Sequence, residues 1–480
     1  MATNAIVHLR THPERVRKYS ENIIASHTAL ESRTQLYLLL QKGPGTLYKR
    51  PSSLAFVAHG GEAFLPGTIE NGGSWSLTGF SLSALKSVWW MGEPRLNRGE
   101  SNPLRSTFTE IDWVFIITYL LSLLPFLFTY DSIAGEQEQG TLRLCLANPI
   151  SRHTLFIGKF FATLLAVLIP FYCAMLCNLA IVSTNNWTQF DGTDWIYLAI
   201  IGLIASCYAA LFIAVGLLVS ATTQERQWSC VLLLFIWVTV VVFMPSTLGT
   251  LATKWMPPLQ THHQFQRAKQ GAIEQLTSDF THKIAAAKER QLKAGNAWSK
   301  LQKLAKMSPE DARQLATSLH ESEKVDDSQL RLMAARVNED VKIREHLNRQ
   351  RFEAQRTQIQ HMRAITRFSP AALVQYTIES MAGTGYNHHL QFLSNVDLYI
   401  RDFRHFIDEM DRSDPESLHI IGIPKGMSKK PISPRLIPKF EDKITFRETF
   451  NTAIVDMLCL VLLLILFLFT GFWVFLRADV

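Results

Sequence analysis

The chain has 480 residues, 48% of them hydrophobic and 19% charged, with a formal net charge of +7. The basic excess is interleaved with acid along the polar stretches, which argues for a solvated surface beside anionic lipid and against a nucleic-acid binder. All six cysteines (Cys145, Cys173, Cys177, Cys207, Cys230 and Cys459) lie in or beside apolar segments, which excludes a disulfide-stapled fold and leaves two long cysteine-free regions free to face an oxidising compartment.

Residues 1–112 open with a predicted helix over about Glu14 to Lys42. A Gly/Pro/Ser-rich stretch follows, containing GPGTLYKRPSSLAF and GGEAFLPG, and reads as loops with short extended pieces. Trp75, Trp89 and Trp90 are read as core aromatics. No apolar leader opens this region.

A bilayer core of about 30 Å needs about 20 apolar helical residues. Five stretches qualify: Trp113 to Tyr130, a run within Phe160 to Ser183, a run within Trp195 to Ser220, about Trp228 to Leu251, and Met457 to Leu476. Pro125 and Pro170 lie inside spans, where neighbouring helices can re-satisfy the freed backbone groups. Cys173 and Cys177 share a helix face at i, i+4; a soft Cu(I) site and simple core packing both fit, and packing is preferred.

Short-loop charge sets the orientation. The connection Thr184–Asp194 has no Lys or Arg and carries Asp191 and Asp194. Asp131–Lys159 carries Arg143, Arg152 and Lys159, Ala221–Gln227 carries Arg226, and Arg477 follows the last span. Positive loops stay in the cytoplasm. The expected layout is therefore 1–112 extracytoplasmic, 113–253 a four-helix membrane block with a cytoplasmic segment at 131–159, 254–450 extracytoplasmic, and 451–480 the last membrane helix with a short cytoplasmic tail. An exported N-terminal region without a leader predicts one further membrane helix upstream of Met1.

Residues 256–412 read as long helices with dense mixed charge, and Ser308-Pro309-Glu310 and Ser369-Pro370 as helix starts. Two long amphipathic helices joined by a short break make a hairpin. His262-His263 and His388-His389 point about 100° apart within each pair on a helix and chelate poorly, so they are read as solvated surface histidines. The proline-rich run 413–445 reads as an extended strap back to the membrane. The fold class is mostly α: a polytopic α-helical membrane protein with an extracytoplasmic helical-hairpin domain.

The most informative stretch is DSIAGEQEQGTLRLCLANPISRHTLFIGK, residues 131–159. Glu136, Glu138, Thr141, Leu142, Leu144 and Leu146 suggest a short amphipathic helix. Gly135 and Gly140 allow close approach or bends, Asn148-Pro149 ends the element, and Ser151-Arg152 starts the next. Such a helix at the cytoplasmic face serves either as a membrane-surface anchor or as a docking knob. The chain contains no GxxxxGK[ST], HExxH or GxSxG motif.

This segment resembles the signature of type-2 ABC exporter permeases: an acidic pair, GTL, a leucine-rich turn, P-x-S-R and a lysine heading the next helix. The stretches YKRPSSLAFVAHG, DWVFIITYLLSLLPFLFTYDSIAGE and RFSPAALVQYTIESMAGTG resemble a bacterial branch with a large extracytoplasmic insert, labelled multi-copper-enzyme maturation type permease. The family's first helix has no counterpart in the chain. The resemblance implies that Glu136, Glu138, Gly140, Thr141, Leu142, Pro149, Ser151, Arg152 and Lys159, with Arg143 among them, form a coupling segment that contacts an ATPase; Cys145 departs from the usual pattern. It implies an inner-membrane permease subunit that is not itself an enzyme. It carries no cofactor and no metal. Its partners would be an ABC ATPase dimer, a second permease copy or paralogue, membrane lipid and an extracytoplasmic partner, with no nucleic acid. Two other readings fit the residues: a mechanotransmitter acting on an envelope partner, and a non-transporting envelope scaffold.

Overall fold

Only helices and closed barrels satisfy the backbone in a bilayer, and charge-free runs of about 20 residues have the length of the helix. The computed structural model describes residues 2–58, 67–69, 112–147, 151–183, 190–255, 262–303, 309–443 and 446–477. Trp75, Trp89, Trp90, Asn148, Pro149 and Ser308 lie outside the described residues. So do the side chains of Arg143, Leu144, Leu146 and His262.

The N-terminal region carries α1 (Ala2–Glu31) and α2 (Leu36–Lys42). The single helix expected over Glu14 to Lys42 is thus two helices. They part where Gln35 bridges to Pro431 and the Ile432 N–H donates to the Thr34 carbonyl at 2.8 Å. Strands β1 (Leu47–Tyr48) and β2 (Thr68–Ile69) pair antiparallel.

Among the described residues, five helices are long and apolar enough to cross a membrane: α3 (Trp113–Glu138), then, beyond the short α4 (Thr141–Ala147), α5 (Arg152–Ser183), α6 (Gly192–Thr222) and α7 (Arg226–Ala252), and finally a fifth within α12 (Phe446–Arg477). Between α7 and α12 come α8 (His262–Lys303), α9 (Pro309–Thr366), α10 (Pro370–Met381) and α11 (Tyr386–Arg412). The protein is a polytopic α-helical membrane protein.

In lipid, apolar contact alone does not drive helices together, so small residues and interhelical hydrogen bonds decide packing. A chain of such bonds crosses the bundle. Trp237 Nε1 donates to Ser122 Oγ at 2.9 Å, and Ser122 donates to the Thr118 carbonyl at 2.6 Å. The buried Tyr208 hydroxyl donates to that same carbonyl at 3.1 Å. Thr118 sits in a π-helical turn, Ile116–Leu120, one turn before Pro125; a second such turn occupies Val238–Phe243 of α7. Nearer the elbow, α6 approaches α3 at Gly216, where an added Cβ would lie 2.0 Å from Thr129 Oγ1. Cys173 and Cys177 lie on the exposed face of α5, so neither packs in the core as expected. The face turned away from the other helices in a membrane bundle is apolar for lipid's sake, and cysteine serves there as any small apolar residue does.

Arg351 stacks over the Phe265 ring at 4.5 Å, and Arg336 reaches Thr277 Oγ1 at 3.3 Å. Residue numbers that rise on one helix as they fall on the other define an antiparallel pair, the expected hairpin. At 1.5 Å per residue, α9 is about 85 Å long. One core unites α1, α2, β1 and β2 with α11 and the strap: Leu36, Leu39 and Ile69 pack with Phe392, Phe403, Met427 and Phe440. The Arg50 N–H donates to Asp442 at 3.0 Å and Lys439 pairs with Glu31 at 2.5 Å. The strap is pinned by two buried acids: Asp411, at the end of α11, accepts from the Ser428 N–H and from Ser417, and the strap's own Asp414 pairs with Lys430 at 2.8 Å.

This body sits on one end of the bundle. The Val57 carbonyl accepts from the Trp113 and Val114 N–H groups, occupying part of the orphan donor set at the start of α3, while Phe56 meets the Trp113 ring edge-on at 5.5 Å. Ser53 donates to Asp194 at 3.0 Å, at the start of α6. Helix α10, nearly all buried, seats against α6 and α12. His388 and His389 open α11 and are 4% and 5% exposed, which corrects their reading as solvated residues. Their helix is amphipathic, and the first turn faces inward against Tyr386 and Phe392. His263 is exposed as expected.

Candidate coupling site

At the other end of the bundle, the DSIAGEQEQGTLRLCLA sequence folds as an elbow. After Thr129 the chain turns and starts the short helix Ala134–Glu138, whose N-cap residue Ile133 offers no side-chain cap. The cap comes from α6: Ser220 Oγ accepts from the Ile133 and Ala134 N–H groups at 3.0 and 2.9 Å. The same hydroxyl donates to the Tyr130 carbonyl at 3.2 Å, and Ser220 is fully buried. One hydroxyl thereby satisfies three backbone groups that would otherwise be orphans.

Two glycines serve this turn. A Cβ at Gly135 would fall 1.9 Å from Asp131 Oδ1. Gly140 has φ +72°, the left-handed conformation that ends a helix at its C′ position, so the chain breaks there and restarts as α4. Thr141 Oγ1 reaches back to the Glu136 carbonyl at 3.3 Å. Leu142 is fully buried and shares a cluster with Ile133, Phe156, Phe160, Ile213, Leu217 and Phe475. This residue seats α4 on the ends of α5, α6 and α12.

Both acids of the expected coupling pair are engaged within the chain. Glu136 pairs with Lys159 of α5 at 2.5 Å, and Lys159 also donates to the Ser132 carbonyl. Glu138 meets Arg226 at the start of α7: Nε lies 3.6 Å from Oε2, and the Arg226 backbone N–H donates to the same oxygen at 3.2 Å. A carboxylate at a helix N-terminus is favoured by both the free N–H groups and the macrodipole. Ser151 starts α5, its carbonyl accepting from Leu155 N and its hydroxyl meeting Thr154 Oγ1 at 2.6 Å. Arg152 Nη1 donates to the Leu476 carbonyl at the end of α12 at 3.0 Å.

The structure thus brings Glu136, Glu138, Gly140, Thr141, Leu142, Ser151 and Arg152 to one face of the bundle. What remains outward is the tip: Glu138, Gln139, Gly140 and Ala147 are exposed. Ser220, Lys159 and Arg226 hold the elbow. Lys159 belongs to the segment the resemblance implies, Arg226 enters the sequence reading only as an orientation signal, and Ser220 is missed, since a serine at the end of an apolar span carries no distinguishing pattern. Among the described residues, no group of three His, Cys, Asp or Glu side chains is placed to hold a metal ion.

Five spans, a lipid-facing exterior and a braced elbow between the first two spans define a multi-pass membrane permease. The chain belongs to the ABC-2 transporter family: residues 14–480 match the family described as ABC-2 family transporter protein, as the sequence resemblance implied. Among curated proteins it is similar to the probable ABC transporter permease protein NosY of Stutzerimonas stutzeri, 30% identical over 140 residues, which cover 28% of this chain and 49% of that protein. It is also similar to the probable ABC transporter permease protein NosY of Pseudomonas aeruginosa, 36% identical over 114 residues, covering 22% of this chain and 41% of that protein. The chain therefore spans about half the length of these relatives or less. Membrane subunits of this family are in general not enzymes themselves.

Proposed function

We propose that this chain is the membrane-spanning subunit of an ATP-driven exporter, and that a separate ATPase dimer drives it by pressing on residues 131–152. One observation carries the reading. The elbow is continuous with α3, ion-paired to α5 through Lys159 and to α7 through Arg226, and hydrogen-bonded to α6 through Ser220. A load on its tip is shared by four spans, so a displacement there moves them together. In this reading the elbow and Arg477 face the cytoplasm, 1–112 and 254–450 face the exterior of a bacterial inner membrane, and the translocation path runs between two permease copies.

The test uses the exposed tip, since reversing Glu136 or Glu138 breaks the elbow itself. Gln139→Arg and Ala147→Asp leave every internal brace intact. Purified from native membranes, the wild-type chain brings down an ATP hydrolysis activity inhibited by orthovanadate, and both variants lose it while keeping their thermal stability. Retention of that activity in both variants refutes the coupling role.

A second reading, mechanotransmission to an envelope partner, is favoured by the external body: α9 is joined to the bundle by side-chain ion pairs at its base. Cargo accumulation in reconstituted vesicles supports the exporter; ATP-dependent hairpin movement without accumulation supports the mechanotransmitter.

A further inference from the structure

Two arginines lie one turn apart at the base of the hairpin, Arg363 on the last turn of α9 and Arg367 just past its end, and each holds a buried acid from a different element. Arg367 Nε lies 2.5 Å from Asp456 Oδ1 on α12, and Asp456 is 1% exposed. Arg363 lies 3.8 Å from Glu379 of α10, itself 6% exposed, and stacks over the Tyr376 ring at 4.5 Å. Gln375 Nε2 donates to the other Glu379 oxygen at 2.7 Å, and the Thr366 and Tyr376 hydroxyls are 2.9 Å apart. A buried carboxylate with one partner is costly to strip of it, so these pairs hold their elements in register.

The opposite end of α12 is seated in the elbow. Phe475 is 1% exposed, 5.7 Å from the Phe156 ring and in the cluster that holds Leu142; Phe472 stands 5.9 Å from Phe156, and Arg152 bonds to Leu476. Between these ends α12 is unbroken α-helix. The other spans that leave the elbow differ: α3 has a π-helical turn and Pro125, α5 has Pro170, and α7 has a π-helical turn. Such features are where helices bend. Helix α6 is unbroken too, but its outer end meets Asp191, Asp194 and Ser53, with no ion pair to the hairpin among the described residues.

We infer that α12 is the rod that carries elbow motion to the external hairpin, and that Arg367 and Asp456 are positioning residues forming its outer joint. This inference rests on the proposed coupling role of the elbow for its biological meaning, but the mechanical link belongs to the chain itself. Asp456 sets where the stem of α9 sits relative to α12, and Phe156 with Phe475 sets where α12 sits relative to α4. Shifting one seat shifts the other by way of a helix about 28 Å long between Asp456 and Phe475.

The experiment is amide hydrogen exchange on the full chain in lipid nanodiscs, with no ATPase present, read at residues 360–381. Phe156→Ala unseats the inner end. The expected result is a rise of about tenfold in exchange at 360–381, and no further rise when Phe156→Ala is added to Arg367→Gln, because the joint is already open. An unchanged rate at 360–381 in Phe156→Ala overturns the rod. An equal rise in the Arg367→Gln background overturns the joint and routes the motion through α6 or α7. Should Phe156→Ala fail to fold, Arg152→Ala perturbs the same seat from the surface and is read by the same two outcomes. Loss of ATPase co-purification is measured separately, so failure of the coupling role and failure of the rod are distinguishable.

Discussion

Lowering the pH from 7.5 to 5.0 should loosen the start of α11 by about 4 kcal/mol. His388 and His389 are buried there, and both His388 ring nitrogens and His389 Nδ1 lack a hydrogen-bond partner. Burial, then the Lys49 charge and the neighbouring His389, push the His388 ring down to about 2; burial and then Lys49 push His389 down to about 4. Both rings are therefore neutral in the folded protein. In the unfolded chain they titrate near 6.5, so below that pH the unfolded state takes up protons that the folded state refuses. Stability is complete above about pH 6.5 and falls as the pH drops below it, by about 1.4 kcal/mol per unit for each ring. From 6.5 to 5.0 this amounts to about 2 kcal/mol each. His389 stops adding to the loss below about pH 4 and His388 below about pH 2. The assay is hydrogen exchange over Tyr386–Arg412 in nanodiscs, corrected for the intrinsic pH dependence. Protection should fall by about three orders of magnitude between pH 7.5 and 5.0, and the double variant His388→Leu/His389→Leu should lose the slope. Equal corrected protection at the two pH values, or a slope that survives in the double variant, refutes the argument.

Three further outcomes follow from the elbow. Leu142→Ala removes a fully buried side chain from the seat of α4 and should lower stability by about 2–5 kcal/mol, seen as a reduced melting temperature of the solubilised protein. Ser220→Ala strands the Ile133 and Ala134 N–H groups and the Tyr130 carbonyl; a loss of about 1–3 kcal/mol is expected, and faster exchange confined to 130–138 checks it. Gly135→Ala places a Cβ against Asp131, while an alanine at the exposed tip, Gln139→Ala, touches no brace, so a thermal shift in the first and none in the second is the expected pair.

The five spans and the hairpin were legible in the sequence because each follows from one strong local feature: charge-free length in the first case, helical spacing with dense charge in the second. The elbow was legible as a segment, since the glycines and the acidic pair are local signals. Its internal wiring was not. Glu136 and Glu138 are polar residues in a turn between spans, and only the fold shows that Lys159 and Arg226 return to them from 23 and 88 positions away. The histidine pair at 388 and 389 was misread for a related reason: exposure of a polar residue is the safer local expectation, but the amphipathic phase of α11 turns that first turn inward, against Tyr386 and Phe392. Asp456 and Glu379 belong to the same class. An acid beside an apolar span reads as a boundary marker until its arginine is found in another helix.

These hidden pairings share a location, and the physics of lipid explains it. In the hydrophobic windows of the five spans, 67% of α6 is buried in the protein, against 11% of α7 and 17% of α12. Trp228, Val231, Phe235 and Phe243 of α7 are exposed, as lipid-facing side chains cost nothing to leave in hydrocarbon. Hydrophobic burial therefore does little to hold α7 to the bundle through its middle. At mid-depth, α7 has the Trp237–Ser122 hydrogen bond and α12 its packing along α6. Further cohesion comes from the ends, where water begins and charge is tolerated. There the structure supplies Glu138–Arg226 and Arg152–Leu476 at the elbow, and Arg367–Asp456 at the other end. A bundle whose ion pairs sit at its rims is suited to rigid-body motion of whole helices, and the rims are where a partner protein can reach them.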